Sequence, residues 1–288
     1  MDRDALAAFT GRPDGEDLIA IQPLQALSAV FDHQPRRWRA GEPVPAGWQW
    51  LYFLPLTRHA DLDLDGRTVR SPGLPGLDQA RRMFAGGRMR FHRPLCVGDT
   101  VTRESTLLDL SEKKGRQGRL VFVTTRSLYR DGQGIAIEEE QDIVFRPAGP
   151  FAAPAAQPIP AARWQREFKP DAVLLFRFSA LTFNGHRIHY DLPYAQREGY
   201  PGLVVHGPLL ALLLLDLAAR NAPGRRILEF SFRATAPVFV DTPIVLRGDL
   251  STDGSSARLS AHRHDGVTAM TAELRLTSGE AGIPLSRD

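Results

Sequence analysis

Phe176-Arg177-Phe178-Ser179-Ala180-Leu181-Thr182-Phe183-Asn184-Gly185-His186-Arg187-Ile188-His189 is the stretch that decides the reading of this chain. Its apolar opening is read as a strand, which gives way to a short turn crowded with Asn184, His186, Arg187 and His189. A second turn marked by Gly and Pro follows at residues 199–202. After it come Val204-Val205-His206-Gly207-Pro208 and a nearly unbroken leucine run to Leu217, which predicts a helix. Titratable groups packed between an apolar strand and an apolar helix are what a pocket looks like in sequence.

Beyond the leucine run the pattern is that of strands: residues 229–233, 244–250, 257–264 and 267–276. A helix that is apolar nearly all round must be buried, most simply by a curved sheet wrapped about it. The first half repeats the plan. Residues 89–92 lead into Pro94-Leu95-Cys96-Val97-Gly98-Asp99-Thr100, as residues 229–233 lead into Pro237-Val238-Phe239-Val240-Asp241-Thr242. Strands at 100–108, 119–129 and 135–145 complete an antiparallel meander, with a hairpin loop at 113–118. Residues 23–31 predict an apolar-faced helix, and residues 34–75 form a long irregular segment. Its aromatics, Trp48, Trp50, Tyr52 and Phe53, argue for a packed cover rather than disorder. Ala and Pro dominate residues 147–160, so the expected layout is a unit at 1–148, a linker at 149–165 and a second unit at 166–288. Two copies of one α+β unit account for the long-spaced similarity.

Composition narrows the function classes. The chain is 43% hydrophobic and 24% charged, with a formal net charge of +3 and no long basic run, which argues against nucleic-acid binding. Scattered arginines suit an anionic small substrate, or simply a solvated surface. The single cysteine, Cys96, admits no intrachain disulfide and is read as core packing. The N-terminus lacks a signal-peptide layout, and the leucine run is too short to cross a bilayer. A cytoplasmic protein without a membrane partner is therefore expected.

A central apolar helix wrapped by an antiparallel sheet, duplicated in one chain, resembles the double hotdog fold. The (R)-specific enoyl-CoA hydratases and MaoC-like dehydratases carry Ser-Gly-Asp-x-Asn-Pro-x-His before the central helix, with Asp and His as the catalytic pair. Residues 182–189 fall on that pattern, with His189 at the His position and Asn184 at the Asp position. His186 and Arg187 replace the Asn and Pro. These departures, together with His-x-Ile-His-Tyr-Asp over residues 186–191, resemble a narrower branch. It holds the itaconyl-CoA and mesaconyl-C4-CoA hydratases and the fungal mitochondrial 3-hydroxyacyl-thioester dehydratase. Residues 81–88 and 113–118 of the first half resemble the same branch.

The resemblance implies hydration of an enoyl-CoA thioester, most specifically itaconyl-CoA or mesaconyl-C4-CoA to citramalyl-CoA. It implies CoA only as part of the substrate, no cofactor and no metal. Hydration needs a base for water, an acid for Cα and donors for the enolate-like oxygen. His189 is the expected acid/base, though a hydrogen-bonded histidine under a loop is the plain alternative. An amide cannot transfer protons, so Asn184 is expected to position water while His189 makes both proton transfers, unless a neighbour such as His186 or Asp191 contributes one. Gly207, at the start of the leucine helix, is the expected oxyanion donor unless it merely permits tight packing. Arg187 would suit a second carboxylate, or form a surface salt bridge. His186, Tyr190, Asp191, Tyr200 and His206 are expected to shape the pocket, with helix capping as the alternative for His206. Arg81, Arg82, Arg88, Lys113 and Lys114 are candidates for the CoA phosphates, or a solvated basic face. His186 and His189 make only a weak metal pair. A hotdog sheet edge leaves room for a homodimer. The rival readings are a fatty-acid 3-hydroxyacyl-thioester dehydratase, a thioesterase and a non-catalytic acyl-CoA-binding subunit or sensor.

Overall fold

Ten strands pair antiparallel in a single sheet in the computed structural model, which describes residues 14–67, 81–115, 118–147 and 155–277. In chain order they are β1 (Gly15–Leu18), β2 (Arg81–Phe91), β3 (Thr100–Gly115), β4 (Gly118–Asp131), β5 (Gly134–Arg146), β6 (Trp164–Phe168), β7 (Ile227–Ala234), β8 (Ile244–Leu250), β9 (Ser256–Arg263) and β10 (Thr268–Leu276). The helices are α1 (Ile21–Val30), α2 (Ala172–Thr182), α3 (Leu192–Arg197) and α4 (Gly207–Asn221).

The sheet order is β1-β3-β4-β5-β2-β7-β10-β9-β8-β6. Read outward from its centre, each half uses its strands in the same sequence, so an internal duplication is visible in the topology. The two strands whose sequences matched meet at the seam, where Met89 faces Phe230 and Gly86 faces Arg233. Period-two alternation explains the strands: in β9 and β10, alternate residues such as Ala257, Leu259 and Ala261, and Ala272, Leu274 and Leu276, face the core.

Helix α4 packs on β6, β8, β9 and β10, and every residue from Leu209 to Ala218 is buried. Each fully buried leucine contributes about 1.5–3 kcal/mol, so this helix is the main apolar anchor of its half. Asp216 is the polar exception within it. Its carboxylate receives hydrogen bonds from His33 (2.6 Å), Arg166 (2.7 Å) and Arg220 (2.8 Å). Despite burial, which pushes it up, His33 and Arg220 hold its pKa below the usual carboxylate range.

The aromatic segment is a packed cover: Trp48, Trp50, Tyr52 and Phe53 are all buried. Trp50 meets Phe84 of β2 and Phe232 of β7 edge to face, and its Nε1 donates to the buried Glu139 at 2.8 Å. One apolar cluster contains Leu24 and Trp50 as well as the leucines of α4, so the two halves share a core. Residues 68–75 of the irregular segment, 116–117 of the hairpin loop, 148–154 of the linker stretch and the terminal residues 1–13 and 278–288 lie outside the described residues. From 155 the chain runs without helix or strand until β6 begins at Trp164, inside the stretch expected as linker. Cys96 is partly buried beside the bridge from Pro43.

Candidate active site

The quoted stretch begins as a helix, not a strand. Asp171 caps α2 by accepting from the Leu174 N–H at 2.7 Å, and Leu175, Phe178 and Ser179 then fall on one buried face. The Phe-x-Phe alternation concealed this, because Phe176 lies exposed while Phe178 is buried. The helix ends at Phe183, whose left-handed φ of 51° is rare for a bulky residue and turns the chain toward the site. The Asn184 N–H donates back to Ser179 O (2.8 Å), and Asn184 Oδ1 accepts from the His186 N–H (3.0 Å). A single helical turn over Arg187–His189 then presents His189.

His189 is buried, with Nδ1 2.6 Å from the Val204 carbonyl oxygen. A carbonyl only accepts, so Nδ1 carries the proton and the Nε2 lone pair is the basic one. Burial lowers its pKa to about 4, with a further push from the Arg67 guanidinium against the Val204 hydrogen bond, so the ring is neutral near pH 7. His206 stacks on it with centroids 3.6 Å apart, and His186 meets it edge-on at 5.4 Å. Burial holds both of these neighbours well below the usual histidine range. His206 Nε2 is 2.9 Å from Ser179 Oγ, while its Nδ1 is buried without a partner.

A cavity of about 850 Å³ opens onto this group, lined by both halves of the chain. Trp50, Met83, Phe84 and Gln141 come from the first half, and Phe178, Asn184, His186, His189 and Gly207 from the second. Gly207 opens α4 with its N–H unused by any acceptor among the described residues. Pro208 follows with no N–H at all. A Cβ on Gly207 would lie 2.7 Å from Phe84 Cδ1, so tight packing and a free amide coincide at one residue. Tyr190 stands at the mouth, half exposed, with its hydroxyl donating to Gly185 O; Tyr200 is a buried wall.

Three expected pocket residues are placed elsewhere. Arg187 turns away: Nε and Nη2 bind Asp191 (3.0 and 2.6 Å), Nη1 binds Leu64 O (3.0 Å), and Arg187 does not line the cavity. Asp191 is spent on that pair and on capping α3 through the Tyr194 N–H. His206 sits behind His189 instead of in the lining, and it makes no capping bond. Among the CoA candidates, Arg81 pairs with Glu198, Arg88 with Glu140 and Asp142, and Lys113 lies over the Phe122 ring. Arg82 lines the cavity, and the side chain of Lys114 lies outside the described residues.

Sequence reasoning missed Ser179 and the Asp65-Gly66-Arg67 corner, which the irregular segment lays against the Asn184–His186 turn. Asp65 O accepts from the Arg187 N–H at 2.9 Å. The fit is so close that a Cβ on Gly66 would sit 2.0 Å from Gly185 O. The local signal was slight: Leu64-Asp65-Gly66 reads as a turn, but nothing in it names the turn it packs against.

Residues 47–240 match the family described as hydroxyacyl-thioester dehydratase type 2. The chain is 44% identical over 274 residues to the mesaconyl-C(4)-CoA hydratase of Chloroflexus aurantiacus, covering 93% of this chain and 97% of that one. It is 28% identical to the mitochondrial hydroxyacyl-thioester dehydratase type 2 of Schizosaccharomyces pombe, covering 80% and 87%. Among solved structures, a MaoC-like dehydratase superposes with a TM-score of 0.67 at 13% identity, over 93% of this chain and 98% of that one. A Mycobacterium tuberculosis protein described as having a double hotdog fold gives 0.55 at 15% identity, over 92% and 95%.

Proposed function

Because this chain belongs to the hydroxyacyl-thioester dehydratase type 2 family, with the double hotdog fold, we propose that it reversibly hydrates mesaconyl-C4-CoA to citramalyl-CoA. The observation that carries the reading is the neutral, buried His189, held through Nδ1 by Val204 with Nε2 left as a base on a cavity that reaches the α4 N-terminus. The chain is an acyl-CoA hydro-lyase, and the mesaconyl group is drawn from the 44% identical relative.

In this reading the Gly207 N–H, at the positive end of α4, receives the thioester oxygen as negative charge develops on it. His189 Nε2 takes a proton from water as the water oxygen bonds to Cβ, and the electron pair of the double bond moves toward the thioester. The proton then passes from His189 to Cα, which completes addition of H and OH. Asn184, its Oδ1 committed to the His186 N–H, offers its amide nitrogen as a donor to that water. Stacked His206 stays neutral and so does not repel the transient imidazolium beside it. Apolar walls such as Trp50, Met83, Phe84 and Phe178 accommodate the acyl chain in this cavity of about 850 Å³.

The test is turnover of purified protein with mesaconyl-C4-CoA, itaconyl-CoA and crotonyl-CoA, beside His189→Ala. Hydration of mesaconyl-C4-CoA lost in the variant supports the reading. Preference for crotonyl-CoA would move the chain to fatty-acid dehydration, and release of free thiol without hydration would make it a thioesterase.

A further inference from the structure

Mesaconyl-C4-CoA carries its free carboxylate on Cβ, the carbon that water attacks. Whatever neutralises that carboxylate must therefore stand beside His189 and cannot lie far along the cavity. Attack by a water oxygen acquiring negative character is opposed by an adjacent anion, so a cation at this place assists both binding and reaction. Arg187, the sequence candidate, is consumed by Asp191 and Leu64 outside the lining.

Among the described residues, the cavity lining holds two guanidiniums, Arg67 and Arg82, and a single carboxylate, Asp65. Asp65 binds Arg67 through Nε (2.8 Å) and Nη2 (2.5 Å) and also accepts from the Arg67 backbone N–H (2.9 Å). Arg67 Nη1 has no protein acceptor among the described residues. The corner that carries Arg67 is pressed onto Gly185, immediately before His186. The guanidinium is close enough to both histidines for its charge to add to burial in holding them deprotonated, and Arg82 acts likewise on His186.

We propose that Arg67, oriented by Asp65, is the specificity-determining residue that binds the free carboxylate of a dicarboxylic enoyl thioester beside His189, with Arg82 adding to the positive field. This rests on the hydratase reading above and deepens it. It gives the first half of the chain a part in choosing the substrate, through the turn at residues 63–67 that follows the short helical turn His59–Asp61. Asp65 is the positioning residue: it takes one edge of the fork and leaves the other to the substrate.

The experiment compares mesaconyl-C4-CoA with 3-methylcrotonyl-CoA, in which a methyl replaces the carboxylate. The quantity read is the ratio of kcat/KM for the two, measured on the same preparation so that the folded fraction cancels. Arg67→Met is expected to lower this ratio about tenfold to a hundredfold, the span of a hydrogen bond to a charged group. Arg67→Lys, which keeps the charge but not the fork, is expected to fall between. The ratio of dissociation constants, measured calorimetrically in a His189→Ala background, is expected to shift in the same direction. An unchanged ratio in both measurements overturns the proposal while leaving the hydratase reading intact. A wild-type protein that hydrates only the neutral thioester overturns the substrate reading and this proposal together.

Discussion

The free amide of Gly207 can be tested through the packing that surrounds it. In Gly207→Ala the new methyl would lie 2.7 Å from Phe84 Cδ1, where carbon atoms normally rest at about 3.5–4.0 Å. About 1 Å must be taken up. The Phe84 ring has little freedom to give, because Phe232 stacks on it at 5.3 Å and Trp50 meets it edge-on at 6.1 Å. The first turn of α4 is therefore expected to move, carrying the Gly207 N–H, the proposed oxyanion donor, with it. A displacement of about 1 Å at a reacting centre costs up to about a hundredfold in rate. Overpacking is expected to cost about 1–3 kcal/mol of stability. Hydration of mesaconyl-C4-CoA, with melting temperature measured alongside, separates the two effects. Phe84→Val removes the obstructing ring atoms, so the double variant is expected to regain most of the lost kcat. A Gly207→Ala protein with wild-type kcat would refute the donor role, and a double variant as slow as the single would refute the steric route.

His189→Ala is expected to lower kcat by about a hundredfold to ten-thousandfold in the same assay, the usual contribution of a general acid/base. With the free-enzyme His189 pKa near 4, kcat/KM is expected to stay level down through pH 6 and to fall only as pH approaches 4, because protonation removes the base. The unfolded chain binds that proton near pH 6.5, so this group makes stability fall from about pH 6.5 toward 4 and then level off, which melts across that range will show. Asp216→Asn leaves two guanidiniums facing a neutral amide on a buried helix. A loss of about 3 kcal/mol is expected by denaturant titration, a figure already discounted for the partial exposure of Arg166 and Arg220. Because the Asp216 carboxyl titrates below its ordinary range, its stabilisation is present above that range and is lost as pH falls through the folded value. Gly66→Ala combines a left-handed φ of 82° with a contact on Gly185 O, so both kcat and melting temperature are expected to drop.

Strand periodicity, the leucine run and the turn residues were local signals, and they determined the antiparallel halves, α4 and the duplication without help from tertiary contacts. The position of His189 was legible because a loop motif keeps its spacing whatever surrounds it. α2 was not legible as a helix: two phenylalanines two residues apart imitate a strand, and only the cap at Asp171 and the packing of Leu175, Phe178 and Ser179 show otherwise. The roles of arginines lay wholly in the tertiary structure. A guanidinium is directed by whichever carboxylate the fold brings within reach: Asp191 draws Arg187 away from the cavity, while Asp65 holds Arg67 at its wall. Both partners lie within four residues of their arginine, yet nothing in that spacing states on which side of a cavity each pair will stand. That is decided where the first half's irregular segment meets the turn at Gly185, a contact between residues more than a hundred positions apart.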